Sequence, residues 1–273
     1  MISVRLLAFL LAAVVSAYIA SPAHAAVAKP DFKVVIDPGH GGSDTGAVFR
    51  RGFSKFSEKD ITLSIAKLVA SQLRDKGMRV VLTRSGDSEV ALPARTALAN
   101  KLSADIFLSI HMNSSTESGS GEGIETYILN HATDASSRRL AQLENSVLGP
   151  NPRNTPEDTD VALILKDLRL DANLYESKRL ACTIQNNLVS NTASSGIASR
   201  GVKQALFHVL LGADMPSVLV ETGFINSSRD RSFVLSARGQ RTISAAIAGA
   251  VSDFRSRKNS PESSSLLSRC KVN

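Results

Sequence analysis

The chain of 273 residues has no tryptophan, three tyrosines and two cysteines, and aromatic side chains make up only 5% of it. So thin an aromatic set leaves little with which to stack bases. Together with an export signal, it argues against nucleic acid as a partner. Cys182 and Cys270 form no CxxC pair, so nothing points to a thiolate metal centre. Cys182 falls on a helical apolar pattern and is read as a small core residue, although an oxidising compartment permits a disulfide. The apolar run from Leu6 to Ala20 falls short of the roughly 20 residues that a spanning helix needs. No internal repeat is visible.

That run follows Arg5 and precedes Ala23-His24-Ala25, the order of a secretory signal peptide, so Met1 to Ala25 is expected to be removed and to leave no membrane span. Removal takes one of the 32 basic residues and none of the 25 acidic ones, leaving a net charge of +6. Part of the excess is local. Arg255, Arg257, Lys258, Arg269 and Lys271 lie among serines in residues 255–273, which read as a flexible basic tail. Such a tail suits an anionic wall polymer or lipid surface as well as it suits plain solvent.

With 43% hydrophobic residues over about 250 mature positions, the chain supports one substantial core. Short β-rich runs at Lys33 to Asp37, Arg79 to Thr83, Asp105 to His111, Ile124 to Leu129 and Val218 to Thr222 read as strands buried on both faces. Helical patterns alternate with them: Ile61, Ile65, Leu68, Val69 and Leu73 before Gly77, then Leu92 to Leu102, and finally Ile243 to Phe254. The alternation predicts an α/β domain over residues 26–254, with a mostly parallel central sheet flanked by helices. Residues 130–191 interrupt it with two helical patterns separated by Gly149-Pro150-Asn151-Pro152 and a polar run to Asp160, which reads as an insertion. The second pattern places Leu170, Leu174, Ala181, Ile184 and Leu188 on one face. The first has Leu140, Leu143 and Val147 on a stripe into which Glu144 also falls.

Open α/β sheets bind ligands beyond the carboxyl ends of their strands. His40, in the loop Gly39-His40-Gly41-Gly42, His111 and Glu221 all fall at such ends, and Glu58 opens a helix whose start reaches the same rim. Two imidazoles and a carboxylate suit zinc and leave a fourth position for water, with Glu221 the natural general base. Spacing does not force these residues together as HExxH would. Singly, His40 reads equally as a loop histidine, Glu58 as a helix-start charge and Glu221 as a salt-bridge partner. A zinc carboxypeptidase would use similar chemistry with a cation such as Arg95 or Arg200 for the terminal carboxylate. A non-catalytic wall-binding protein would be expected to lack one of the site residues.

Four ordered segments carry a resemblance: Val34-Val35-Ile36-Asp37-Pro38-Gly39-His40-Gly41-Gly42 with Asp44 and Gly46, Glu58-Lys59-Asp60, Ser109-Ile110-His111-Met112-Asn113, and Val220-Glu221-Thr222-Gly223-Phe224-Ile225. From about Lys33 to Phe254 the chain resembles the zinc-dependent N-acetylmuramoyl-L-alanine amidases of the type-3 class. The resemblance implies zinc held by His40, Glu58 and His111, with Glu221 as catalytic acid and base. It also implies cleavage of the amide between N-acetylmuramic acid and L-alanine in peptidoglycan. Thr45 and Met112 depart from the family pattern, and Met112 is expected to alter the rim. The insertion is similar to that of the Gram-negative division amidases. This implies a periplasmic enzyme of daughter-cell separation, a helix over the active site whose glutamate, here Glu144, blocks the zinc, and a LytM-type protein activator.

Overall fold

The computed structural model describes residues 31–115, 121–148, 168–256 and 270–273; the expected signal peptide and most of the run between the two inserted helices lie outside them. In chain order the elements are β1 (Lys33–Pro38), β2 (Val48–Arg51), β3 (Ser54–Ser57), α1 (Glu58–Asp75), β4 (Arg79–Leu82), α2 (Leu92–Lys101), β5 (Ile106–Asn113) and β6 (Ile124–Leu129). They continue with α3 (Ala135–Asn145), α4 (Leu168–Thr192), β7 (Ser199–Ala205), β8 (Ser217–Phe224), α5 (Ser228–Leu235) and α6 (Ala237–Ser256).

Six strands form the central sheet in the order β4-β1-β5-β8-β6-β7, and β2 and β3 make a separate hairpin. Every pairing in the sheet is parallel except β6 with β8, so the mostly parallel sheet expected from the alternation is present. β6 and β7 run opposite to the other four strands. As a result, the carboxyl ends of β1, β5 and β8 meet the amino ends of β6 and β7 at one sheet edge. β4 closes the other side of the sheet with Arg79 and Val81 exposed, so it is not buried on both faces as its apolar run suggests. An edge strand has a neighbour on one side only, and its apolar residues need one covered face.

Period-two alternation sorts the strand side chains into two layers. Val34, Ile36, Leu108, Ile110 and Val220 join Ile65 and Val69 of α1, Ile184 and Leu188 of α4, and Ile247 and Val251 of α6 in one cluster. Val35, Phe107, Tyr127 and Leu219 point the other way, toward Ala99 of α2, Leu140 of α3 and the segment around Phe207. A fully buried aliphatic side chain of this kind contributes about 1.5–3 kcal/mol relative to an exposed one. The same parity places His111, Glu125 and Glu221 on the second face, under α3. Met112 lies between His111 and Asn113 and therefore enters the first cluster, fully buried, rather than shaping the rim.

The chain end is anchored. Cys270 is disulfide-bonded to Cys182 of α4, Val272 bridges Val202 of the edge strand β7 in parallel, and the Asn273 amide donates to the Val202 carbonyl at 3.0 Å. The last residues thus cover part of an otherwise open sheet edge, and Arg255 belongs to α6. Reducing this bond should lower stability by about 2–4 kcal/mol and speed amide exchange along β7. Urea unfolding with and without reductant checks it, and the Cys182→Ser/Cys270→Ser chain should show no further response to reductant.

Candidate metal centre

His40 sits just past β1 in a left-handed backbone conformation, φ 61°, which costs a non-glycine residue about 1–2 kcal/mol. Two buried arginines hold the loop in place. Arg95 pairs with Asp37 at 2.7 Å and donates to the carbonyls of Pro38 at 3.0 Å and His40 at 3.1 Å. Arg84 donates to the carbonyls of Pro38 at 3.0 Å and Gly39 at 2.7 Å. Asp37 also accepts from Thr83 and Ser109. Burial opposes ionisation of Asp37, but Arg95 and these donors outweigh it and hold the carboxyl below its ordinary range. Asp44 completes the loop at 2.8 Å from Nδ1 of His40, which aims Nε2 inward. Two glycines are required by close approach. A Cβ on Gly39 would lie 2.5 Å from the His111 ring, and one on Gly46 2.5 Å from the His40 ring and 2.7 Å from Glu58 Oε2.

Glu58 opens α1, and its carboxylate turns back from the helix start. Oε2 accepts from the Ala47 amide and Oε1 from the Met112 amide, each at 2.9 Å. Oε1 also lies 3.1 Å from His40 Nε2 and 3.0 Å from His111 Nδ1. Although burial works against its charge, the two imidazoles hold the Glu58 carboxyl well below the usual range.

Glu144 arrives on α3. Asp134 caps α3 by accepting from the Ser137 amide at 2.9 Å, and Asn145 pins the other end to the Leu206 carbonyl and the His208 amide. Leu140 and Ala141 face the sheet, and Glu144 follows them inward. Leu143 and Val147 are 44% and 50% exposed, so the apolar stripe expected through all three aliphatic residues is not the buried face. Glu144 Oε2 lies 3.3 Å from His40 Nε2 and 3.1 Å from His111 Nδ1. Burial depresses the protonated imidazoles, but Glu58 and Glu144 more than compensate, and both histidines are pushed up to about 10.

Glu221 lies beside His111 in register and is fully buried, with neither carboxylate oxygen hydrogen-bonded. Burial, then the charges of Glu58, Glu144 and Glu125, raise its carboxyl well above the ordinary value. A carboxyl in this setting can hold a proton at neutral pH and give it up when a positive charge approaches.

One ligand atom from each of His40, Glu58, His111 and Glu144 falls within 4.8 Å of all the others. Donors around a four-coordinate zinc at about 2.0–2.1 Å stand roughly 3.3 Å apart, and the four imidazole–carboxylate separations of 3.0 to 3.3 Å match that spacing. His40 Nε2 is buried with no hydrogen bond of its own, which leaves that nitrogen available to a metal. The donor set therefore fits zinc.

The four residues singled out as metal-directed converge, and Glu221 stands next to them. The sequence marks Asp44 only as a motif residue and Arg95 only as a cation for a terminal carboxylate, and nothing in it singles out Arg84 or Glu125. Arg95 and Arg200, the cations considered for a terminal carboxylate, differ in availability. Arg95 is buried and spends its donors on the His40 loop and the Val90 carbonyl, whereas Arg200 is partly exposed and paired with Glu125.

The N-acetylmuramoyl-L-alanine amidase family, Amidase_3, matches residues 34–253. N-acetylmuramoyl-L-alanine amidase AmiA of Escherichia coli is 36% identical over 228 residues, covering 81% of this chain and 75% of the relative. AmiC of Neisseria meningitidis is 33% identical over 225 residues, covering 81% of this chain but 52% of its own length. Among solved structures, AmiC2 of Nostoc punctiforme aligns with a TM-score of 0.61 and 30% identity, over 83% of this chain and 98% of that one. An amidase from Clostridium difficile 630 gives the same score and identity over 84% and 98%.

Asp37→Ala leaves the Arg95 guanidinium buried without its partner, which should cost about 3–5 kcal/mol at pH 7. Because folding lowers the Asp37 value, the pair's contribution is present above the ordinary carboxyl value of 3.8 and is lost as pH falls through the lowered one. Urea unfolding of both chains from pH 7 downward should therefore show the gap between them narrowing in acid.

Proposed function

Since the chain belongs to the N-acetylmuramoyl-L-alanine amidase family, we propose that it hydrolyses the amide between N-acetylmuramic acid and L-alanine in peptidoglycan as a zinc enzyme held inactive by its own inserted helix. The observation that carries this reading is the convergence of His40, Glu58, His111 and Glu144 within 4.8 Å, beside an unpartnered Glu221.

His40, Glu58 and His111 are the resident ligands. When bound, zinc supplies a Lewis acid for the amide carbonyl and makes water easier to deprotonate. Glu221 accepts the proton from the attacking water and returns it to the departing alanine nitrogen, so that an amine leaves rather than an amide anion. Its burial favours the protonated form needed for the second step. Asp44 fixes the His40 ring, and the arginine clamp keeps that histidine at its strained backbone angle.

Glu144 takes the position that water and substrate require. For turnover, α3 must move, and Leu143 on its outward side, with Val147 in the turn just after it, offers apolar surface to a protein activator of the LytM type. The signal peptide places the enzyme in the periplasm, where cutting wall peptides from glycan serves daughter-cell separation. No helix among the described residues is long and apolar enough to cross a membrane.

Peptidoglycan digested by the zinc-loaded chain should yield intact stem peptides by mass spectrometry, and a chelator should abolish the release. Single amino acids would indicate a carboxypeptidase instead. Glu221→Gln should reduce turnover by about 10²–10⁴-fold. Glu144→Ala should raise hydrolysis in the absence of any activator; unchanged low activity would refute the blocking role.

A further inference from the structure

A second charged cluster shares the sheet edge with the metal centre. Glu125 is buried on β6, in register with Glu221 on β8, and receives three donors: Asn113 at 2.6 Å, Arg200 at 2.8 Å and Lys203 at 2.9 Å. Lys203 is buried and sufficient to balance the Glu125 charge, so the trio carries one surplus positive charge. That surplus faces outward on Arg200, whose side chain is 28% exposed.

The backbone is shaped to put it there. Between the pairs Ile124↔Ser199 and Glu125↔Gly201 the ladder slips by one residue, and Arg200 is the extra residue, with Gly201 following at φ 81°. A bulge of this kind re-aims a side chain that regular pleating would send elsewhere. Here it brings the Arg200 Nε to Glu125 and lays the guanidinium 5.1 Å from the Phe224 ring centre. Only Nε is engaged, and the two terminal nitrogens make no hydrogen bond among the described residues. A guanidinium fixed through Nε, with its outer pair of donors free, is arranged for bidentate capture of a carboxylate. The nearby Asp134 carboxylate also favours the Arg200 charge, but its oxygens accept from Ser137 at the start of α3 and leave the terminal nitrogens of Arg200 unengaged.

We propose that Arg200 is a substrate-binding residue that recognises a carboxylate of the stem peptide, held ready by Glu125 and Phe224. The proposal rests on the amidase reading and adds a specificity subsite to it. Two strand spacings separate β8 from β7, about 10 Å, and an extended peptide advances about 3.3–3.6 Å per residue. The first stem carboxylate that an arginine on β7 would meet is therefore the α-carboxylate of the second residue.

The test compares N-acetylmuramoyl-L-alanyl-D-glutamate with N-acetylmuramoyl-L-alanyl-D-isoglutamine, which carries an amide in place of one carboxylate. Binding is measured by calorimetry with the zinc-loaded Glu144→Ala/Glu221→Gln chain, in which the approach is open and hydrolysis is suppressed. The acid form should bind about ten- to a hundredfold more tightly. Arg200→Gln should erase the preference by weakening the acid form alone, and Arg200→Lys should keep part of it. Equal binding of the two forms before substitution, or an equal loss of both on Arg200→Gln, would overturn the proposal. Hydrolysis of the same compounds by the Glu144→Ala chain is scored separately: cleavage of neither contradicts the amidase reading, and cleavage of both at equal affinity contradicts only the subsite.

Discussion

Glu58 and Glu144 each stand about 3 Å from both His40 and His111, out of water, and the rest of the site depends on that crossing of charge. Carboxylates buried this close together repel one another unless positive charge lies between them. In the metal-free chain the two imidazoles, pushed up to about 10, supply it; a divalent cation held by the same donors would supply it in their place. Binding such a cation would release those protons, so its affinity would fall in acid. Glu221, left without a partner in the same cavity, feels every change in that balance.

Holding the crossing together requires strain at one point and rigidity at several. His40 is placed by an unfavourable backbone angle, and the Asp37–Arg95 pair and Arg84 stabilise the loop that bears it. Gly39 and Gly46 leave room for the rings to approach. His111 and Glu221 need no comparable device, because both lie within parallel strands whose register sets them side by side. The same register carries Glu125 to the next strand, so the metal centre and the Arg200 cluster are two parts of one sheet edge.

Much of this was legible in the sequence for identifiable reasons. β1, β5, β6 and β8 are apolar enough to be read as strands, and His40, His111 and Glu221 stood out by ending three of them. β7 was invisible because Ser199 to Ala205 is polar and broken by Gly201, a composition that a bulged strand shares with a loop. Strand direction is not encoded in alternation, so the reversal of β6 and β7 could not be foreseen. Glu144 drew notice as a charge in an apolar stripe, yet the stripe itself was misread: Leu143 and Val147 face outward. The roles of Arg84 and Arg95 are not legible because their partners lie dozens of residues away, and the Cys182–Cys270 bond, which an oxidising compartment permits, cannot be deduced from two cysteines 88 residues apart.

In the proposed enzyme one zinc ion is held by His40, Glu58 and His111, with Glu144 as a displaceable fourth ligand. Calorimetric titration of zinc into the metal-free protein and its variants measures this arrangement. One ion per chain is expected, with loss of binding in His40→Ala and His111→Ala and retained but weaker binding in Glu144→Ala. Undiminished binding without either histidine would contradict it, as would zinc affinity that is indifferent to Glu144.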